Sequence, residues 1–170
     1  EGGAFLETPL AAEFEIIDVN VRSTVHLAKL VLRDMAARDE GDVLITSSIA
    51  STMPGSYQAV YNASKSFLQS FAEALQSELE DTAVTVTSLM PGPTETNFFH
   101  RAEMDGTKVG KSKKDDPAQV ARQGFEALEK GRRRVVGGSA KTKFQEAANK
   151  VLPDRAKAAI HRAMAKPDDE

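Results

Sequence analysis

Apolar residues recur every three or four positions over the first forty residues, which is typical of one face of a long helix. The stripe comprises Phe14, Ile17, Val21, Val25, Ala28, Leu32 and Met35. Thr8 suits the N-cap position and Pro9 the first helical position, and Glu40-Gly41-Asp42 ends the pattern. We therefore predict a helix over about residues 9–38.

Two short apolar runs follow and predict strands. Val43-Leu44-Ile45 is a continuous apolar run of the kind that lies buried on both faces of a parallel sheet. Val84–Met90 is rich in β-branched residues and stops at Pro91-Gly92-Pro93. Between the runs, residues 47–57 predict a loop, and helical spacing predicts a helix over about residues 61–79.

The second half of the chain continues the alternation of helix and strand. Residues 98–115 are polar and lysine-rich, and a loop of that length is a functional lid or a mobile segment. Asp116-Pro117 begins a helix that runs through Leu128, and Val135-Val136 predicts a short strand. From Thr142 onwards we predict one or two helices broken at Pro153, with a frayed tail over 167–170. Helices between strands indicate βαβ units and a parallel sheet.

Composition narrows the class of protein. The chain has 170 residues, of which 41% are hydrophobic and 28% charged, as in an ordinary globular domain. The net charge of −3 argues against a nucleic-acid binder. Cysteine is absent, and His26, His100 and His161 show no metal-ligand spacing, so no metal site is predicted. No apolar stretch suggests a membrane span and no signal pattern opens the chain, so we expect a cytoplasmic protein.

Tyr61 and Lys65 lie four residues apart at the start of a predicted helix, so their side chains share a face. A lysine ammonium about 6 Å from a phenol, at an effective dielectric of ~20, favours the phenolate by about 2–3 kcal/mol. The pair therefore predicts a tyrosine with a lowered pKa that acts as a general acid–base catalyst. By itself the pattern is weak, because it also occurs on solvated helix faces.

Hydroxyl-bearing residues follow both of the first two predicted strands. Thr46-Ser47-Ser48 ends the first strand, and Pro91-Gly92-Pro93-Thr94-Glu95-Thr96 follows the second. Singly, each would be a turn or cap residue. However, the carboxyl ends of parallel strands lie at one edge of the sheet, where α/β proteins bind ligands. Two strand ends and the start of one helix therefore predict a common crevice.

In order and spacing, these motifs resemble the short-chain dehydrogenase/reductase family. The resemblance rests on Asp18-Val19-Asn20-Val21, Ser48, Tyr61-Asn62-Ala63-Ser64-Lys65 and the segment 91–96. It covers about residues 1–138 and implies an α/β fold with a Rossmann-like doubly wound parallel sheet. This chain would hold the C-terminal catalytic part of that single domain, about strands 5–7 with their helices. Residues 139–170 would form a C-terminal helical extension.

The resemblance implies a role for each motif residue. Tyr61 would protonate a carbonyl oxygen or deprotonate an alcohol, and Ser48 would hold the substrate oxygen. Lys65 would lower the tyrosine pKa and bind the nicotinamide ribose. Asn20 would hold a water that relays protons from Lys65, and an asparagine in mid-helix needs a hydrogen-bond partner in any case. The cofactor, NADP or NAD, would contact Tyr61, Lys65, Pro91, Gly92, Thr94 and Thr96.

The phosphate-binding part of such a fold is not visible in the sequence. Gly2-Gly3 has neither the spacing nor the preceding strand of a dinucleotide fingerprint, and the chain opens on Glu rather than Met, so we expect a segment upstream. We also expect the 170 residues alone to bind a dinucleotide weakly and to be inactive. The first strand of the partial sheet would then expose an unpaired apolar edge.

Substrate and partners are predicted only in outline. Met53, Tyr57, Phe98, Phe99 and the segment to Asp115 would line a pocket for a medium-sized apolar carbonyl or alcohol. The lysines at 108, 111, 113 and 114 could contact an acidic carrier or a cofactor phosphate, or form a solvated loop. Arg132 to Arg134 would guard an edge strand. A homo-oligomer could form through the helices over 9–38 and 61–79.

Two functions remain open at this point. The first is an oxidoreductase that transfers a hydride between NAD(P)(H) and a carbonyl or alcohol. The second is a non-catalytic interaction module on a truncated fold of the same family, or an inactive fragment. The intact motif set favours the first function, and the absence of a phosphate-binding half favours the second.

Overall fold

Three parallel strands form the sheet of the computed structural model, which describes residues 2–167. They are β1 (Gly41–Thr46), β2 (Val84–Pro91) and β3 (Arg134–Gly137), in the spatial order β1-β2-β3. Gly41 lies beside Val84, and Ser88 lies beside Arg134. The chain therefore has the predicted α/β fold, with part of a Rossmann-like parallel sheet.

Helices precede, connect and follow these strands. Before β1 come α1 (Leu10–Ile17) and α2 (Ser23–Arg38). A short 3-10 turn (Ile49–Thr52) and α3 (Ala59–Glu78) connect β1 to β2. The connection from β2 to β3 contains α4 (Phe98–Arg101), α5 (Lys108–Lys111) and α6 (Pro117–Glu129), and α7 (Ala140–Asn149) and α8 (Asp154–Ala165) follow β3. The two C-terminal helices separate at Pro153, as predicted.

Alternate strand residues pack against helices on the two faces of the sheet. On one face the core consists of strand residues and residues of α2 and α3, namely Ala28, Leu32, Ile45, Leu68, Ala72, Val84 and Val86. On the other face α6 approaches closely at Gly124, where a β-carbon would lie 2.9 Å from Leu89 Cδ2. The sheet is therefore a middle layer between helices, as in a doubly wound fold.

The long first helix is less regular than its apolar stripe predicts. A π-helical turn over Asp18–Arg22 separates α1 from α2. Pro9 occupies the N-cap position, and the predicted Thr8 cap is wrong, because the Thr8 hydroxyl donates to the Glu13 carboxylate (2.7 Å) rather than accepting from a backbone N–H. A π turn shifts the helical register by one residue, which a pattern of threes and fours does not reveal.

Strand β1 is more exposed than predicted. Ile45 is buried, but Val43 and Leu44 are half-buried and Thr46 is exposed. Within residues 2–167, β1 pairs with β2 alone, so its other edge is open. The prediction of an unpaired edge is confirmed, and the prediction of burial on both faces is wrong for the same reason.

The lysine-rich segment 98–115 is also more ordered than predicted. Instead of one loop it contains α4 and α5, and Phe99 and Met104 are buried in a cluster with Ala165 of α8. Thr107 forms an isolated antiparallel bridge with Pro167, while the other residues of the predicted frayed tail, 168–170, lie outside the described residues. The segment contains a few apolar residues among its many lysines, and Phe99 and Met104 pack it against α8.

Candidate active site

A cavity of about 420 Å³ opens where β1 and β2 end. The residues predicted for catalysis and cofactor binding that line it are Ser48, Tyr61, Lys65, Pro91, Gly92, Thr94 and Thr96. Two strand ends and the first turn of α3 thus meet in one crevice. The structure brings together every predicted site residue except Asn20, which is not among the described residues that line this cavity.

Ser48 ties the two strand ends together. It is the N-cap of the 3-10 turn, where its Oγ accepts a hydrogen bond from Ala50 N–H (3.1 Å). The same hydroxyl donates to the Pro91 carbonyl (3.3 Å). These contacts hold Ser48 in the cavity that Tyr61 also lines.

Tyr61 does not have the lowered pKa that its spacing from Lys65 predicts. Burial raises the pKa of Tyr61 to about 12, and the hydrogen bond with Ser48 opposes that rise. The Lys65 ammonium lies 5.8 Å from the centroid of the tyrosine ring. At that distance its attraction for a phenolate does not offset the loss of water around a buried charge. Tyr61 is therefore a neutral phenol at pH 7 in this state.

Lys65 is held at the end of β1 by its neighbours. Its Nζ donates to the Thr46 carbonyl (3.1 Å), and its own backbone carbonyl accepts from Ser47 Oγ (3.0 Å). Burial lowers the pKa of the Lys65 ammonium below its ordinary value. The lysine is thus positioned by the strand end, one helical turn after Tyr61.

Asn20 is connected to the site through a second residue. It lies in the π turn, and its Nδ2 donates to Ser64 Oγ (2.9 Å). Ser64 is buried and donates in turn to the Tyr61 carbonyl (2.7 Å). Asn20 has the partner that a mid-helix asparagine needs, and π turns often mark functional positions. Its predicted link to Lys65 through a water stays a prediction.

The loop after β2 is fastened at both ends. Gly92 N–H donates to Gly137 O (3.3 Å), and the Thr94 hydroxyl donates to the Gly92 carbonyl (2.9 Å). Asp115 pairs with Thr94 in a parallel bridge. Burial raises the pKa of the Asp115 carboxyl, but hydrogen bonds from Thr142 and Ser139 outweigh it and hold the pKa below its ordinary value. The charged carboxylate therefore anchors this loop to α7.

The predicted pocket walls are partly correct. Met53, Phe98 and Phe99 line the cavity, whereas Tyr57 is not among the lining residues and packs against the buried cluster that contains Phe99 and Met104. A whole wall was missed by sequence reasoning. It consists of Gln145 from α7 and Ile160, His161, Met164 and Ala165 from α8. Ile160 and Met164 lie four residues apart on one helix face, the only signal in the sequence that could have found it.

The remaining charged motifs have structural contacts. Lys114 Nζ donates to the Gly110 carbonyl (2.6 Å) and lies 5.0 Å from the Phe99 ring centroid, so it packs the segment 98–115. Arg134, at the start of edge strand β3, pairs with Glu146 of α7. Residues 2–167 contain no cluster of three or more histidine or acidic side chains suited to a metal, and no helix among them is long and apolar enough to cross a membrane.

Comparison with known proteins decides the family. A family model described as short chain dehydrogenase matches residues 1–106. The chain belongs to the short-chain dehydrogenase/reductase family. It is 29% identical over 140 residues to dehydrogenase/reductase SDR family member 7B of Mus musculus, covering 79% of this chain and 43% of that protein. It is 38% identical over 96 residues to SDR family member 4 of Bos taurus, covering 56% of this chain and 34% of that protein.

A solved structure agrees with the fold. A short-chain dehydrogenase from Sphingobium yanoikuyae in complex with NADPH superposes with a TM-score of 0.76 at 16% identity. The match covers 100% of this chain and 64% of that one. The chain spans less than half the length of the two curated relatives above, as the shares of 43% and 34% show.

Proposed function

We propose that this chain is the catalytic part of an NAD(P)-dependent oxidoreductase that interconverts a carbonyl compound and an alcohol. The observation that supports it most is the meeting of Ser48, Tyr61 and Lys65 in the lining of one cavity. Membership of the short-chain dehydrogenase/reductase family supports the same reaction. A cavity with mostly apolar walls suits a medium-sized apolar substrate.

The protonation state of Tyr61 favours reduction in the state described. With its pKa raised to about 12, Tyr61 is a neutral phenol that has a proton to give to a carbonyl oxygen. The Ser48 hydroxyl, fixed beside it, would donate to the same oxygen as negative charge develops there. Alcohol oxidation would need the phenolate, which this environment disfavours at neutral pH.

The donor set fits the nicotinamide end of a dinucleotide. The Lys65 ammonium and the Tyr61 hydroxyl are donors suited to ribose hydroxyls. The loop that carries Pro91, Gly92, Thr94 and Thr96 offers backbone groups and hydroxyls suited to a carboxamide. NADP or NAD, when bound, would supply the hydride. Within residues 2–167 no strand leads into a turn with the Gly-x-Gly-x-x-Gly spacing of a dinucleotide fingerprint, and Gly137-Gly138 at the end of β3 lacks that spacing.

We therefore propose that activity requires a phosphate-binding half joined to this chain. The open edge of β1 is the place where further parallel strands of such a half would pair. Residues 1–138 would be the catalytic part of the shared domain, and residues 139–170 a C-terminal extension. The protein in which both halves would be joined is called the complete reductase below.

An apolar helix face supports self-association in addition to catalysis. Leu10, Phe14 and Leu30 of α1 and α2 are 63%, 56% and 54% exposed, and Phe67 of α3 is 39% exposed. Apolar patches of this kind are usually covered by another protein surface. We propose a homo-oligomer through the helices over 9–38 and 61–79. The same face is the observation that favours the alternative, a non-catalytic interaction module.

Isotope transfer separates the two functions. The complete reductase is incubated with 2-octanone and NADPH, or NADH, that carries deuterium at both C4 positions, and the alcohol is analysed by mass spectrometry. We expect one deuterium on the carbinol carbon of the product. An interaction module would form no alcohol from this ketone or from cyclohexanone and acetophenone, and that result would overturn the proposal.

A further inference from the structure

The cavity wall formed by α8 is apolar except at one position. Ile160, Met164 and Ala165 contribute hydrocarbon, whereas His161 contributes an imidazole. The Ser48–Tyr61–Lys65 set assigns no task to this ring. A polar group on an apolar wall fixes the orientation of a ligand, because the ligand must satisfy it or leave it without a partner.

The hydrogen-bonding state of His161 follows from its single described partner. Its Nδ1 lies 2.9 Å from the Ser56 carbonyl oxygen. A carbonyl oxygen only accepts, so Nδ1 carries the hydrogen and donates. Burial lowers the pKa of His161 below its ordinary value, although the bond to Ser56 opposes this, so the ring is neutral at pH 7. The other nitrogen, Nε2, is then an acceptor with a free lone pair.

This acceptor is available to a ligand. Among the described residues, His161 Nε2 has no hydrogen-bond partner. Within residues 2–167, Asn62 Oδ1 is the only side-chain atom that is both fully buried and without a partner, so the unpartnered His161 Nε2 is not fully buried. A ligand can therefore reach this nitrogen, and His161 lines the cavity.

The helix that carries His161 is fixed to the segment that follows Ser48. Lys157, one turn earlier on α8, donates from Nζ to the Thr52 carbonyl (3.2 Å) and pairs with Asp154 (2.7 Å). Asn149 of α7 donates to the Thr52 hydroxyl (3.2 Å). The imidazole is therefore held by its own bond to Ser56 and by the Lys157 contact of the same helix, and a group held in this way recognises a ligand at little cost in side-chain entropy.

We propose that His161 determines substrate specificity by accepting, at Nε2, a hydrogen bond from a hydroxyl group remote from the carbonyl of an otherwise apolar ketone. This inference rests on the proposed reductase function. A hydroxyl fits better than an ammonium, because the same cavity already contains the Lys65 ammonium and the surrounding walls are apolar. The substrate class is thus hydroxyketones, or the corresponding diols in the reverse direction.

A ligand series tests the proposal. The complete reductase is given 2-alkanones and the matching methyl ketones with a terminal hydroxyl, over chain lengths of five to ten carbons. The kcat/KM ratio of hydroxylated to plain ketone is measured for each length. In the same protein, labelled with 15N-histidine, the Nε2 chemical shift of His161 is followed during titration with each ketone. His161→Phe and His161→Gln are compared with His100→Phe, a change at an exposed histidine outside the cavity.

We expect one chain length at which the hydroxyketone is favoured about five- to tenfold. His161→Phe should abolish that preference, because kcat/KM falls about five- to tenfold further for the hydroxyketone than for the plain ketone. His161→Gln should keep part of the preference, and His100→Phe should keep all of it. If His161 only holds Ser56 in place, kcat/KM falls equally for both ketone classes, and the proposal is overturned. The Nε2 chemical shift should be that of an unprotonated nitrogen and should change with the hydroxyketone alone. An equal change with both ketone classes would also overturn the proposal. If no ketone is reduced at all, the reductase function fails, while the histidine signal still decides the hydrogen bond.

Discussion

The two sides of the cavity are built in different ways. On one side Ser48 and Lys65 are held by hydrogen bonds to the ends of β2 and β1, and Tyr61 lies in the first turn of α3. On the other side α8 presents hydrocarbon and one imidazole, and side-chain contacts to residues 52–56 hold it in place. Proton transfer restricts residue type and spacing, whereas a binding wall needs only shape and polarity. The first side is therefore visible as a motif, and the second is visible only in three dimensions.

Removal of the Ser48 hydroxyl should lower the turnover that depends on the first side of the cavity. We expect Ser48→Ala to lower kcat of the complete reductase on 2-octanone about 100- to 1000-fold, because a donor to the developing oxyanion is lost. Ser70→Ala, at an exposed position of the same connection on α3, is the matched control and should behave like the wild type. A loss of less than tenfold in Ser48→Ala would show that Ser48 only joins the strand ends.

A methyl group at Gly92 should disturb the junction between the two sides. A β-carbon there would lie 2.4 Å from Thr142 Cγ2 of α7. We expect Gly92→Ala to lower the free energy of unfolding by about 1–3 kcal/mol, as overpacking does, in urea denaturation of the complete reductase. Thr142→Ala removes the atom that clashes, so Gly92→Ala should cost less in its presence. Additive effects in this double-mutant cycle would rule out the contact.

Loss of the Lys157 hydrogen bond, which holds α8 to Thr52, should change KM rather than kcat. Lys157 donates to the Thr52 carbonyl with a side chain that is 13% exposed. We expect Lys157→Met to raise KM for 2-octanone about three- to tenfold with kcat within twofold, because a half-buried acceptor loses its donor. Lys130→Met, at a lysine that is 59% exposed, should leave both constants unchanged. An equal fall in kcat would mean that α8 also positions Ser48.

A pH titration of the Tyr61 phenol tests the smallest of the expected effects. The chain has two tyrosines and no tryptophan, so in Tyr57→Phe the phenolate absorbance reports on Tyr61 alone within residues 1–170. Without cofactor we expect no phenolate up to pH 10, because burial raises the pKa to about 12. A folded-state pKa above the unfolded value of about 10 stabilises the fold below that pH, and this stability is lost as the pH rises towards 12. A phenolate that forms with a midpoint near pH 8 would restore the sequence-based expectation.

The sequence predicts the parts of the fold that local patterns determine. The three strands and the helices from Pro117 and on either side of Pro153 were found, because apolar periodicity, proline and caps are local signals. The π turn at Asp18–Arg22 was missed, since one inserted residue hardly alters a stripe of threes and fours. The sequence of segment 98–115 predicts a loop, because its lysines outnumber buried apolar residues such as Phe99 and Met104.

In the candidate site, too, local sequence patterns predict some features and not others. The positions of Ser48, Tyr61 and Lys65 in one cavity could be expected from strand ends and helical spacing. The pKa of Tyr61 could not, because the attraction of Lys65 depends on distance and orientation, while desolvation depends on residues far away in the sequence. The contact of His161 with Ser56, 105 residues away, could not be expected from any local pattern either.

The most direct test of the account is the turnover of Tyr61→Phe in the complete reductase with 2-octanone and the preferred cofactor. The substitution removes the phenolic proton and leaves the ring. If Tyr61 is the proton donor, kcat should fall about 100- to 10,000-fold, while the Kd for the cofactor rises by less than about tenfold, the effect of one lost hydrogen bond. A variant that kept more than a tenth of the wild-type kcat would contradict the assignment of Tyr61 as the acid.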